Sequence, residues 1–373
     1  MTTATGEVIA DPQQKPKGVS VRAVQWRIFR QNRLAVLGLV VLSLFLIMLV
    51  FGDFIAPYRP STRTPNSLAP PHRLHFVDAE GRFHLRPFYY PVQKERDLRT
   101  FRTTYVEDKT QPLPLRFLIR GESYDFWGLF ETDLHLFGVM ADEKIFIIGS
   151  DELGRDLFSR IVWSTRISLT IGLVGVIISL ILGALLGAIS GFYGGWTDVI
   201  MQRLIEVLMS FPHIPLWMAF AAMIPLRWDP LLVYFLITLI LALVNWTGLA
   251  RQIRGMTLSL KEREYVVAAK ALGASDLRIM VRHILPNTFG HMIVISTLAV
   301  PGMILAETAL SFLELGIREP MLSWGTLLQQ AQSLQVMGQQ PWIMTPALAV
   351  VISVLAFNFV GDGLRDALDP YER

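Results

Sequence analysis

Residues Glu264 to Asn287 read EYVVAAKALGASDLRIMVRHILPN, a polar and basic stretch set between two long apolar runs. Apart from Val266 and Val267, Tyr265 to Leu272 are good helix formers, and Gly273 stands where a left-handed C-terminal cap belongs. Ser275 or Asp276 is placed to accept from the free N–H groups of a second helix running to about Leu285. Pro286 marks where that helix must bend or restart as the next apolar run. The expected order is helix, glycine elbow, helix, membrane. Composition alone allows a solvated loop with some helix.

The flanking runs decide the class. The chain has 373 residues, 52% hydrophobic and only 17% charged, with a positive mean hydropathy. That is too apolar for an ordinary soluble domain and reads as an all-α polytopic membrane protein. The net charge is only +3, and the bases cluster by loop without interleaved aromatics, so no nucleic-acid partner is expected. The absence of cysteine excludes disulfides and thiolate metal sites. Residues 1–20 lack the apolar core of a signal peptide and read as a disordered cytoplasmic tail.

Outward from the central stretch, six spans are expected. Val21 to Arg33 reads as an interfacial helix and Leu34 to Phe51 as the first span, so that 21–51 forms one unit. Residues 52–160 form a long polar, aromatic insert on the opposite side. Leu74–Val77 and Arg82–Leu85 are a candidate hairpin, with Arg116–Ile119 and Lys144–Ile148 as further strands. The insert fits a folded cap or a contact site for a delivery protein. His72, His75, His84 and His135 lack metal-ligand spacing, and no nucleophile motif is present.

Residues 161–373 form the core with five further spans. GSDELGRDLFSRI (Gly149 to Ile161) leads in, with Ser150 or Asp151 as the expected cap. The second span, Ile167 to Ser190, carries Gly175, Ser179, Gly183 and Gly187, with Gly191 just beyond it. This small-residue ridge reads as a packing face. A phosphate-binding reading fails because no Gly-Lys-Ser/Thr occurs in the chain. The third span, Met201 to Leu226, holds Glu206 and His213 among prolines. The fourth, Leu231 to Leu249, places Asn245 near its cytoplasmic end. The fifth, Thr288 to Leu310, is interrupted at Pro301-Gly302 and holds Glu307. Trp342 to Val360 is the sixth. Ionisable groups in hydrocarbon are costly unless they face an interior, which makes Glu206, His213 and Glu307 candidates for a pathway. Loop 251–287 carries seven Lys/Arg against three acids, which puts it and both termini in the cytoplasm.

The spacing of Ala268-Ala269, Gly273 and Leu285-Pro286 resembles the EAA loop of permease subunits of bacterial ABC importers. Val267 stands where that family's name has Glu, and His283 where Ile is usual. These departures, together with Tyr265 and the ending His283 to Asn287, resemble the dipeptide and oligopeptide branch. RIFRQNRLAVLG followed by IAPYRP (Ile55 to Pro60) is similar to its amino-terminal part. The resemblance implies a type I importer permease fold without catalytic residues or cofactors of its own. Tyr265, Ala268, Ala269 and Gly273 would then form a coupling helix and elbow that meet an ATPase, and His283, Pro286 and Asn287 the junction with the fifth span. It further implies a second, related permease, one or two ABC ATPase subunits that bind ATP and Mg, and an extracytoplasmic substrate-binding protein, in a bacterial or archaeal cell (inner) membrane. Oligopeptides are the expected cargo; oligosaccharides, opines and nickel complexes are alternatives. An ion-coupled secondary transporter would use Glu206, His213 and Glu307 as a relay, and a membrane sensor would use the insert.

Overall fold

The computed structural model describes residues 20–96, 103–140, 143–225 and 227–368. The expected tail, Ser20 apart, and Leu226 lie outside the described residues. Helix α1 (Val21–Gln31) is capped by Ser20, whose hydroxyl accepts from the Ala23 N–H at 3.2 Å. Asn32 ends it and caps α2 (Arg33–Ile55), accepting from the Ala35 N–H at 3.1 Å.

Seven strands follow: β1 (His75–Val77), β2 (Phe83–Tyr89), β3 (Val92–Arg96), β4 (Thr103–Glu107), β5 (Leu113–Pro114), β6 (Arg116–Phe126) and β7 (Phe130–Gly138). They form three small antiparallel sheets, β1-β2-β5, β3-β4 and β6-β7. The hairpin around Asp78 to Gly81 is present, with Val77 opposite Phe83. The strand expected over Lys144–Ile148 is not. Its main chain is satisfied by side chains and a loop: Ile145 N–H donates to the Tyr58 hydroxyl and Phe146 N–H to His72 Nδ1, both at 2.9 Å, while Phe146 C=O accepts from His72 N–H. Ile145 and Phe146 are buried beneath the sheets.

The remaining chain is helical: α3 (Leu157–Tyr193), α4 (Gly195–Ser210), α5 (His213–Ala222), α6 (Pro230–Leu260), α7 (Glu264–Ala271), α8 (Asp276–Ile279), α9 (Leu285–Phe312), α10 (Trp324–Leu328), α11 (Leu334–Gln339) and α12 (Thr345–Leu368). Among the described residues, five helical segments are long and apolar enough to cross a membrane, and six when the bent pair α4–α5 is counted as one span. Helix α3 packs against α6, α9 and α2, and α12 against α2 and α9. Phe45, Ile237, Leu241, Met303, Ile304 and Trp324 meet in the largest buried cluster.

Several expected boundaries are corrected. The third span is no single helix. Phe211 is extended, as a residue before proline tends to be, and α4 and α5 meet at 89°. Helix α6 runs on to Leu260, so Asn245 lies well inside it, donating to Leu241 C=O at 2.9 Å. Helix α9 passes unbroken through buried Pro301, because packing against α3 and α12 outweighs one lost ladder bond. Helix α3 is capped by Asp156, which accepts from Ser159 N–H at 2.8 Å. Ser150 and Asp151 do not cap it. Asp151 holds Arg155 at 2.6 Å, and Glu319, in the loop after α9, accepts from Arg155 at 2.8 Å and Arg160 at 2.9 Å. Burial raises the Glu319 carboxyl, but these two guanidiniums outweigh it and hold it below its usual range. The network ties the end of the insert to the far end of α9.

Candidate functional site

The candidate site is built on α7 and the elbow that follows it. Glu264 in the first turn and Lys270 in the last complement the helix dipole. The helix closes in a full Schellman motif. Gly273 N–H donates to Lys270 C=O at 3.0 Å and Ala274 N–H to Ala269 C=O at 3.1 Å, with Gly273 at φ +81°. Only a residue tolerant of the left-handed region serves there. Ser275 sits at the next N-cap position but makes no side-chain cap bond, contrary to the expectation for Ser275 or Asp276.

Beyond α8, the helix does not bend or restart at Pro286. Residues Met280–Ile284 form one π-helical turn that leads straight into α9, with Leu285 N–H donating to Met280 C=O. Pro286 has no N–H to give, and the widened turn carries the chain past it at the first turn of α9. Asn287 Nδ2 donates to His283 C=O at 2.6 Å, across the same junction. The Tyr265 and His283 rings lie 6.4 Å apart, so the two ends of the stretch face each other.

Val266 anchors this unit, buried with Ile279, Met280 and Ile284 against Ile189 and Phe192 of α3 and Leu260 of α6. The rest of α7 is open: Tyr265, Val267 and Ala268 are exposed and Ala269 is half-buried. Leu272 is 89% and Leu277 68% exposed, next to exposed Val267 at 54%. Arg263, Lys270, Arg278 and Arg282 are exposed beside them. The surface therefore mixes exposed apolar side chains with these four bases and the exposed acids Glu262 and Glu264. Leu272 and Leu277 were not singled out from the sequence. Each follows or precedes the elbow by a few residues, and only the buried side of α7 and α8 shows which apolar residues remain outside.

Beneath this surface, α3 and α6 approach at backbone distance along the small-residue ridge. A Cβ built on Gly183 would lie 3.0 Å from Trp246 O, one on Gly187 2.5 Å from Ala250 O, and one on Gly191 2.7 Å from Arg254 O. Ser179 Oγ donates to Ala242 C=O at 3.1 Å, while Gly175 faces Met303 of α9. At the α7 end of the ridge, Arg254 forks onto both oxygens of Asp198 at 2.5 and 2.6 Å, and Lys261 donates to Gly191 C=O at 3.2 Å. The Asp198–Arg254 pair ties α4 to α6 and was missed in the sequence, where the two lie far apart.

The three ionisable residues expected to line a pathway occupy different settings. Glu206 is exposed on α4 and pairs with Arg203 at 2.8 Å. His213 begins α5 with its ring 5.7 Å from that of Trp217. Glu307 is fully buried, accepting from Ser311 Oγ at 2.6 Å and facing Ser168 Oγ at 3.4 Å. No hydrogen bond among the described residues links the three. No group of three His, Asp or Glu able to hold a metal occurs among the described residues either.

Comparison with known proteins places this architecture. Residues 179–373 match the family described as binding-protein-dependent transport system inner membrane component. Residues 21–71 match the N-terminal TM domain of oligopeptide transport permease C. The dipeptide transport system permease protein DppC of Bacillus subtilis is 31% identical over 361 residues, covering 97% of this chain and 89% of the relative. The oligopeptide transport system permease protein OppC of Escherichia coli is 45% identical over 246 residues, 65% of this chain and 78% of the relative. The glutathione transport system permease protein GsiD of Pectobacterium atrosepticum is 41% identical over 223 residues, 60% and 72% of the two chains. With more than half its length matched by one family model and nearly all of it by a relative, the chain belongs to the family of binding-protein-dependent transport system inner membrane components.

Proposed function

We propose that this chain is a transmembrane permease subunit of an ATP-driven ABC importer and forms half of a translocation pathway for oligopeptides. The observation that carries the reading is the capped helix α7. Val266 is its one buried side chain, it is closed by a complete Schellman motif, and it presents Tyr265, Val267, Ala268 and Leu272 outward from the ends of α3, α6 and α9. A short rigid helix rooted on three long ones transmits force when a partner grips its open face. Transmission requires that the grip differ between the partner's states, since an equal affinity for both shifts nothing. Tyr265, Ala268, Ala269 and Gly273 meet the ATPase; His283, Pro286 and Asn287 set the junction with α9.

The chain is not itself an enzyme. It has no phosphate-binding loop, so ATP and Mg are bound by partner ATPase subunits, one or two in kind. A second, related permease completes the pathway and an extracytoplasmic binding protein delivers cargo. Both termini are cytoplasmic in this reading, which the arginines on α1 and in loop 251–287 support. Oligopeptide cargo is supported by the names of the relatives. The insert, 52–160, faces the delivery side.

The test is purification of the chain from its native membrane in mild detergent, mass spectrometry of what accompanies it, and a vanadate-sensitive ATPase assay. A second permease and an ATP-hydrolysing subunit are expected. A chain recovered alone and without ATPase activity, under conditions that keep other importers intact, would overturn the reading.

A further inference from the structure

The hairpin β6–β7 ends in a turn with an unusual resident. Trp127 and Gly128 both have positive φ, +54° and +72°, and Leu129 N–H closes the turn on Phe126 C=O at 3.0 Å. Glycine, asparagine and aspartate are the residues that suit such positions. A tryptophan there is held by other contacts. Its indole N–H donates to the carbonyl of Val50 in α2 at 2.8 Å, and the Arg166 guanidinium stacks on its ring at 4.1 Å. Phe126 also lies 5.9 Å from Phe51. The tip therefore rests on the side of the first long apolar helix. Val50 is about 26 Å along α2 from Arg33 at 1.5 Å per residue, near the far edge of a hydrocarbon layer about 30 Å thick.

The side chains left uncovered at the tip are apolar: Leu129 is 77%, Phe130 56% and Trp127 48% exposed. They continue the exposed apolar face of α2, where Leu46, Ile47 and Phe51 are uncovered. The polar boundary falls at one level on both elements. On α2, Asp53 comes three residues after Val50 and is buried against Arg166 at 2.8 Å. On the hairpin, the next cross-strand pair is Asp125 opposite Glu131, two exposed acids. Like charges directly opposed need water or headgroups around them, so they mark how deep the hairpin goes.

We infer that the tip of the β6–β7 hairpin, Trp127 to Phe130, is a membrane anchor that dips into the lipid leaflet on the insert's side. Its ligand is the bilayer itself, at the boundary between acyl chains and headgroups, where tryptophan rings are favoured. Anchored there, the hairpin, whose middle meets Ala56 and Arg59 where the chain leaves α2, holds the rest of the insert at a fixed height above the membrane.

The chain has no cysteine, so a single introduced thiol is the only one in this subunit, and the parent complex carried through the same labelling gives the background from the subunits that co-purify. Leu129→Cys is the test position and Phe130→Cys a second one in case the first disturbs the turn. Leu85→Cys is the water control, since Leu85 is 87% exposed beside Arg116 at the opposite end of the hairpin. The labelled full chain, with the subunits that co-purify, is reconstituted into vesicles of phosphatidylcholine and phosphatidylglycerol. Relaxation by oxygen, which concentrates in lipid, is compared with relaxation by a water-soluble nickel chelate. Labels at 129 and 130 are expected to favour oxygen several-fold and the label at 85 to favour nickel. Nickel preference at 129 and 130 equal to that at 85 would place the tip in water. Protection from both reagents would place it against another protein chain. Either result overturns the anchor.

Discussion

Gly187 lies against the main chain of Ala250: a methyl group built on it would stand 2.5 Å from the Ala250 carbonyl oxygen. The obstacle is backbone, so no side chain can swing aside and α3 itself must move. Overpacking of this kind costs roughly 1–3 kcal/mol or more. Gly187→Val is expected to yield little monodisperse protein in mild detergent. Gly248→Ala in α6, where a Cβ meets nothing within 4 Å, should purify normally. Equal yields of the two variants would mean that the ridge is not a close-packed seam.

The elbow invites a different comparison, because Gly273 has open space around it and only its φ of +81° resists substitution. An ordinary L-residue in that region costs roughly 1–2 kcal/mol, while asparagine is tolerated better. Gly273→Val is therefore expected to lower ATP-dependent uptake strongly while Gly273→Asn retains most of it, both measured at matched membrane levels. Normal uptake by Gly273→Val would separate the elbow from coupling.

Much of this was legible in the sequence, and the failures share a cause. Gly273 and the small-residue ridge rest on residue type and spacing, which a sequence displays directly, whereas the break at Asn32 inside the expected interfacial helix was not read. Pro212 and Pro301 look alike on paper, yet one ends a helix and the other lies buried inside one. The difference is the packing of α9 between α3 and α12, a tertiary effect. Lys144–Ile148 has strand composition but spends its hydrogen bonds on Tyr58 and His72, more than seventy residues earlier. The anchoring of Trp127 on Val50 is equally remote in sequence. At the candidate site, the helix and its cap could be read ahead, whereas the exposure of Leu272 and Leu277 could not.

His72 gives the insert a pH dependence. It is buried, its Nδ1 accepts from Phe146 N–H, and its Nε2 has no partner among the described residues. Burial lowers its pKa to about 4 from 6.5. Between those values the unfolded chain binds the proton and the fold does not, so stability is full above pH 6.5 and falls as pH drops toward 4. The shift corresponds to roughly 3 kcal/mol at 1.36 kcal/mol per unit. Melting of the purified chain followed by intrinsic fluorescence is expected to shift downward between pH 7 and pH 4.5. His72→Gln, which cannot take up a proton, should flatten that slope. An unchanged slope in the variant would assign the pH response to other groups.

Glu307 tests whether a buried acid in this bundle holds structure or moves charge. It is fully enclosed, and its oxygens face Ser311 and Ser168, whose hydroxyls in turn accept from Ile317 N–H at 2.9 Å and Trp324 N–H at 3.0 Å. The carboxyl thus secures two hydroxyls that pin the segment containing α10 against α3 and α9. Glutamine has the same shape and can bond both serines, because their hydroxyls rotate. Leucine leaves both hydroxyls without their partner, at roughly 1–3 kcal/mol for each buried unsatisfied group. Glu307→Gln should therefore melt within a few degrees of the parent and transport normally, while Glu307→Leu should melt lower or fail to assemble. Full stability with lost uptake in Glu307→Gln would point instead to a proton or ion carried at this position, since retained stability shows that the amide serves the two serines and the lost ability to ionise then accounts for the difference.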